Sequence, residues 1–396
     1  METRVCNYNG HLNDPAGLIF SDTTIREAEQ CPGIIYSLEE KIEFMHRLDE
    51  IGIQQLQFYP GKTKQSQSDV KRLLQEKTKA PIMVMALGFE DCWLDNAKFA
   101  LECGTQIAHM SFYTTPYVDP VWTPQTPEKT RERMLAAIEF YRSQTQAPIE
   151  IGFIDATRAD VDYLMSMVES ACKAGAKHIT LADTVSAASP EGIEYLVSRA
   201  VEIAKPYGTL IGTHCHNDVG LALANTCAGI KAGARLIDVA VNGIGDRAGN
   251  VVLAELVAAL EVIYGIRTPF DLKKMNELAR FAARVSAREI PVNAPIVGDH
   301  VFVDQDDYHI DGSLHDPLAF RIFHCEDFGG ESRIMFGKIT GPAVIRHMSK
   351  KYNRPIDESL IPAIREELFT MASNAPKGLC INEEMFWQAV ERIQNQ

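Results

Sequence analysis

From Gly17 to about Tyr264 the chain alternates short apolar runs with longer amphipathic stretches. The runs are LIFSDT (18–23), QQLQFY (54–59), IMVMAL (82–87), QIAHMSF (106–112), PIEIGF (148–153), HITLA (178–182), LIGTHCH (210–216) and LIDVAV (236–241), eight in all, each of strand length. Helix starts lie between them: Ser37 with Glu40 three residues later reads as a capping box, and Thr126 and Ser189 each stand before a proline in a first turn. Eight βα units in roughly 250 residues is the size of a TIM barrel. A doubly wound open sheet is the rival, but no GxGxxG follows the first strand. The expected fold is α/β, a TIM (β/α)8 barrel over 17–265 behind an N-terminal extension over 1–16.

After Tyr264 the character changes. TPFDLKKMNELARFAARVSARE reads as a helix, and residues 291–330 are rich in Asp, His and Gly with little periodicity. GPAVIRHMSKKY, IDESLIPAIREELFTMA and NEEMFWQAVERI then read as short helices. Residues 266–396 are therefore expected to form a smaller, mostly helical C-terminal module.

The 396 residues are 46% hydrophobic, enough to bury a sizeable core. A formal net charge of -14 leaves no basic stripe to neutralise phosphates, so nucleic acid is not an expected partner. No signal peptide opens the chain and no run of about 18 apolar residues occurs, so the expectation is a cytoplasmic protein with no membrane partner. Nine cysteines without a CxxC pair fit reduced, mostly buried thiols.

In a TIM barrel, chemistry gathers where the strands end. The first strand ends in SDTTIREAEQ, with Asp22, Arg26, Glu27 and Glu29. The seventh ends in GTHCHND, where residues two apart point to one side, so His214 and His216 present two imidazoles to one point while Cys215 turns into the packing. With a carboxylate from the neighbouring first strand, a 2-His-1-carboxylate metal site becomes possible; the alternative is two strand-end histidines bonded to loop backbone. In NGIGDRAGN, Gly243, Gly245 and Gly249 allow a tight loop to approach a ligand, and Asn250 opens the next helix either as a cap, which spacing alone favours, or as an oxygen ligand. DQDDYHIDG lacks the sixth-position glycine and closing glutamate of a calcium loop. Within it His309, flanked by carboxylates, is a candidate general base, or else a solvated loop histidine.

Taken in order, SDTTIREAEQCPG, FIDATRAD, LADTV, GTHCHNDVGLALANTCAGIKAGA and VNGIGDRAGNVVLAEL resemble the landmarks of the homocitrate synthase and 2-isopropylmalate synthase family, in the metallolyase TIM-barrel superfamily. The resemblance runs on through APIVGDHVF, HIDGSLHDPLAF and ESRIMFGKITG, over about residues 17–345. It implies an acyltransferase that condenses acetyl-CoA with a 2-oxo acid and hydrolyses the thioester, giving a 2-hydroxy diacid. It implies Glu27, His214, His216 and Asn250 as ligands of a divalent metal (Mg, Mn, Zn or Co), Arg26 as the group that stabilises the oxyanion, and Arg158, Thr184 and Gln57 at the substrate end. His309 would be the base, reaching the active site of a partner subunit in a homodimer.

The chain departs from the family pattern at Asp304 in place of a histidine, Asp307 and Ser186 in place of glycines, Ile154 before Asp155, and Gln57 in place of a strand-2 glutamate. These positions surround the substrate and the base, so an atypical 2-oxo acid is expected. The competing readings are a metal-dependent carbon–carbon lyase or aldolase of the same superfamily, and a catalytically inactive binding protein.

Overall fold

A computed structural model describes residues 1–12, 17–115 and 126–395. Its eight parallel strands close into a barrel in sequence order: β1 (Ile19–Asp22), β2 (Gln55–Phe58), β3 (Ile82–Val84), β4 (Ile107–Tyr113), β5 (Ile149–Ile154), β6 (His178–Asp183), β7 (Leu210–Cys215) and β8 (Leu236–Val239). Closure is made by β1 against β8, in the register Ile19↔Leu236 to Asp22↔Val239. All eight coincide with the apolar runs. Strands buried on both faces cannot alternate with polar residues, so each leaves a continuous apolar signal.

The helices begin where their caps predict. Ser37 Oγ accepts from the Glu40 amide at 3.2 Å, and Glu40 Oε2 accepts from the Ser37 amide at 2.8 Å, completing the capping box of the helix Leu38–Ile51. Thr126 caps Pro127–Gln144, and Ser189 caps Pro190–Ala204. Phe44, Met45, Leu48 and Ile51 form the buried stripe of the first of these helices, and the Phe44 ring meets Phe281 edge-on at 5.3 Å.

The chain forms two compact units. One comprises Asn9–Asp271 with Glu277–Glu289, so the barrel unit runs past residue 265 and takes in most of the helix Met275–Ser286. The other comprises Met1–Tyr8, Leu272–Asn276 and Ile290–Gln396. Its first residues belong to it through the Arg4 amide, which donates to the Ile322 carbonyl at 3.1 Å, and through an Arg4–Asp316 ion pair. Its core packs Ile310, Phe336, Val344, Ile345, Ile364 and Phe386, with the Phe336 and Phe386 rings stacked at 4.5 Å.

Helices at Pro342–Lys351, Ile361–Asn374 and Glu383–Gln394 follow the sequence reading. The stretch 291–330 holds a helix that periodicity did not show, Asp307–His315. Its N-cap is Asp306, which accepts from the amides of Tyr308 and His309, and Ile310 is its one fully buried residue, so no apolar stripe announces it. Among the described residues no helix is long and apolar enough to cross a membrane.

Candidate active site

The strand ends of the barrel surround a cavity of about 340 Å³ lined by side chains from almost every βα unit. The first wall is built locally by Asp22, whose carboxyl accepts from the Thr24 amide at 2.9 Å and from its hydroxyl at 2.7 Å. These bonds start the short helix Thr24–Ala28, which presents Arg26 and Glu27, both buried, to the cavity. Burial pushes the Asp22 carboxyl up to about 7.

On β7 and its exit, His214 and His216 turn to the same side, with their Nε2 atoms 3.1 Å apart. Cys215 points away and is 1% exposed; burial drives its thiol up to about 12. His214 Nδ1 lies 2.9 Å from Asp238 Oδ2, so the carboxylate holds the proton on Nδ1 and leaves Nε2 as a lone pair. Glu27 Oε1 lies 3.7 Å from that same Nε2. Donor atoms of Glu27, His214 and His216 all fall within 4.8 Å of one another. Burial opposes ionisation of Glu27, but Arg26 and the two imidazoles outweigh it and hold the carboxyl down at about 2. Burial, helped by His214, keeps His216 neutral down to about 3.

Asn250 completes the cluster. The following helix starts at Leu253 with Val252 at its N-cap and no side-chain cap, so the capping role that spacing favoured for Asn250 is overturned. Its amide lies 3.2 Å from His214 Nε2, and its buried Oδ1 has no hydrogen-bond partner. A half-turn of the amide group, exchanging its nitrogen and oxygen, would aim Oδ1 at the same point. The glycines of NGIGDRAGN make this approach possible: a Cβ on Gly245 would lie 2.3 Å from Asn250 Oδ1, and one on Gly249 would lie 1.7 Å from the Gly243 carbonyl oxygen. A carboxylate held ionised and imidazole lone pairs facing one buried point, with an unpartnered buried amide oxygen on the adjoining Asn250, form a donor set that fits a divalent cation. Among the described residues neither histidine ring bonds to loop backbone, which speaks against the alternative of two strand-end histidines held by the loops.

Behind these residues runs a hydrogen-bonded relay. Arg26 Nη1 donates to Glu27 Oε1 at 2.6 Å and its Nε donates to Gln57 Oε1 at 3.0 Å. Gln57 Nε2 donates to Asp238 Oδ1 and to Ser21 Oγ, each at 2.8 Å. Gln57 thus joins an arginine to a carboxylate, which a glutamate in its place could do only with a proton. Thr184 lines the cavity, and its hydroxyl accepts from the Asp155 amide at 2.9 Å. Arg158 is not brought to the cavity lining; it forks onto the Asp155 carboxylate, with contacts of 2.6 to 3.0 Å. His309 lies in the other unit, exposed on its helix, with its ring 4.3 Å from that of Phe320.

The departures from the family pattern have local explanations. Ser186 sits at φ 53°, a glycine-like conformation, and compensates with side-chain bonds: its Oγ accepts from the Asp218 amide at 2.9 Å and donates to Asp218 Oδ2. Asp304 is neutralised by Arg321 at 2.6 Å, and Asp307 Oδ1 accepts from the Val344 amide at the start of its helix. Neither therefore stands as an uncompensated anion.

Among the cavity residues that escaped the sequence reading are Asp238, Arg247, Glu150 and His109. Asp238 and Glu150 are carboxylates inside apolar strands, and that mismatch was the available signal. Arg247, at φ 55°, clamps three loops by donating to Asp218, Asp246 and the Thr184 carbonyl. Glu150, 1% exposed, accepts from Gln55 Nε2 at 3.2 Å and from Thr180 Oγ1 at 3.1 Å, with His178 Nδ1 at 3.8 Å. Burial works against its ionisation, but His178, His109 and Gln55 together hold the carboxyl below the usual range.

Burial pushes His109 down to about 4, so the unfolded chain takes up a proton near 6.5 that the folded chain refuses until about pH 4. A folded-state pKa below the unfolded value means stability is lost as pH falls through this window. In His109→Gln the decline in unfolding free energy between pH 6.5 and 4 should be shallower by up to about 3 kcal/mol. Urea titrations of both proteins across that range read the difference, and parallel curves would refute it.

Residues 17–282 match the family model described as HMGL-like. The homocitrate synthase AksA of Methanothermobacter thermautotrophicus is 32% identical over 98% of this chain and 96% of its own length. A probable 2-isopropylmalate synthase of Ignicoccus hospitalis is 31% identical over 96% and 93%. Among solved structures, the hydroxymethylglutaryl-CoA lyase of Pseudomonas aeruginosa superposes with a TM-score of 0.59 over 70% of this chain and 95% of that one, at 15% identity, a likeness of fold alone. On the model match and these near full-length relatives, the chain belongs to the HMGL-like family and, within it, to the homocitrate synthase and 2-isopropylmalate synthase family.

Proposed function

We propose that the barrel mouth is the site at which this protein, an acyltransferase, condenses acetyl-CoA with a 2-oxo acid and releases free coenzyme A, yielding a 2-hydroxy diacid. The observation that carries this reading is the convergence of Glu27, His214 and His216 on one buried point beside the Arg26 guanidinium, with the Asn250 side-chain amide 3.2 Å from His214 Nε2.

Glu27, His214, His216 and Asn250 would hold a divalent cation, which when bound supplies Lewis acidity and a template for the carboxylate and ketone oxygens of the 2-oxo acid. Asp238 keeps His214 in the tautomer whose Nε2 is a donor lone pair. Arg26, fixed by Glu27 and Gln57, holds a positive charge where the ketone oxygen gains negative charge as the carbon–carbon bond forms. Its position is set before substrate arrives, so no reorganisation opposes the step. Thr184 and Gln57 lie on the substrate side of the cavity, and Arg158 acts behind them through Asp155. The base that removes a proton from the acetyl methyl is His309, exposed on the second unit and offered by a second copy of the chain. A homodimer follows from that role.

Thiol release from acetyl-CoA, followed across a panel of 2-oxo acids with Mg²⁺, Mn²⁺, Co²⁺ or Zn²⁺ present, tests the reading; tight metal binding with no thiol released from any acid would overturn it. His214→Ala should lose both bound metal and turnover, and full activity without metal would remove the proposed chemistry. Asp238→Ala, which touches the metal only through His214, should weaken metal affinity by about 10- to 100-fold as read by competition with a chelating dye. An unchanged affinity would show that the tautomer of His214 needs no such support.

A further inference from the structure

The cavity has two chemically different ends. Near the proposed metal ligands stand its only described cationic lining residues, Arg26 and Arg247. Both are committed: Arg26 to Glu27 and Gln57, Arg247 to Asp218, Asp246 and the Thr184 carbonyl. Elsewhere the described lining carries no lysine or arginine; it mixes apolar side chains, Met85, Leu87, Phe89 and Phe153, with neutral polar ones such as Ser111 and Thr180, and it includes Glu150. Glu150 stands four positions before Ile154 on β5, about 13 Å further down the strand at roughly 3.3 Å per residue. Gly152 lies between them, and a Cβ there would meet Ser111 Oγ at 2.6 Å and His109 Nε2 at 3.1 Å. The absence of that side chain lets Ser111 and His109 close onto β5 in the cavity wall between Ile154 and Glu150.

No lysine or arginine among the described residues pairs with Glu150; its hydrogen bonds come from the neutral donors Gln55 and Thr180. A buried carboxylate whose hydrogen bonds come from neutral groups, with the His178 ring alongside at 3.8 Å, has acceptor capacity left over and repels a second anion in a medium of low dielectric. A ligand hydroxyl or ammonium supplies a further donor, whereas a ligand carboxylate meets like charge with no lysine or arginine of the described cavity lining at that end to offset it.

We propose that the 2-oxo acid taken by this site is a monocarboxylate whose side chain ends in a hydrogen-bond donor read by Glu150, and that a second carboxylate is rejected there. This assignment rests on the condensation reading above and names its substrate class.

Three acids of matched length separate the possibilities: 5-hydroxy-2-oxopentanoate, 2-oxopentanoate and 2-oxoglutarate, which differ only in ending in a hydroxymethyl, a methyl or a carboxylate group. With the Mg²⁺-loaded enzyme, kcat/KM for thiol release should fall in that order, by about 10-fold or more from first to last. Glu150→Gln should narrow or invert the gap between the hydroxy acid and 2-oxoglutarate, a change in selectivity that a purely structural role would not produce. If that variant fails to fold, the wild-type order still decides. Calorimetric binding of the same acids without acetyl-CoA provides the second readout. Binding in the stated order without thiol release would leave the Glu150 assignment standing and overturn the condensation. A 2-oxoglutarate that binds or reacts as well as the hydroxy acid would overturn the assignment, as would the absence of binding by all three.

Discussion

The hydrogen bond between Asp238 and Nδ1 of His214 sets the polarity of the whole barrel mouth. It decides which imidazole nitrogen carries the proton, and so gives the exposed nitrogen a lone pair. It also draws Asp238 into the relay through Gln57 to Arg26, so that the His214 imidazole and the Arg26 guanidinium are held by the same carboxylate. Removing one member would leave another buried group without a partner, which in a dry interior costs more than the lost bond itself.

That relay explains why the strand-2 position is a glutamine. Its amide is an acceptor on one side and a donor on the other, matching a cation and an anion at once. Other departures are likewise settled locally: Ser186 offsets a strained backbone with two bonds to Asp218, and Asp304 is answered by Arg321. The barrel's chemistry is thus retuned position by position, while the frame beneath it stays regular.

The barrel was legible in the sequence because burial on both faces writes each strand as an apolar run, and the His214–His216 pair because a strand places alternate residues on one side. Asp238 and Gln57 were less so: their bonds span 181 residues of sequence, a proximity that only barrel closure creates. Asn250 read as a cap because spacing cannot tell a helix that starts at once from one that starts three residues later. The helix Asp307–His315 was hidden because a helix burying one residue leaves no periodic trace.

The proposed ligands hang on the β7–β8–β1 arc of the barrel, whereas Glu150, Gly152, His109 and Thr180 belong to β4, β5 and β6 on the far arc. Substitutions on the far arc can therefore change the wall of the pocket without replacing any of the proposed ligands on the other arc.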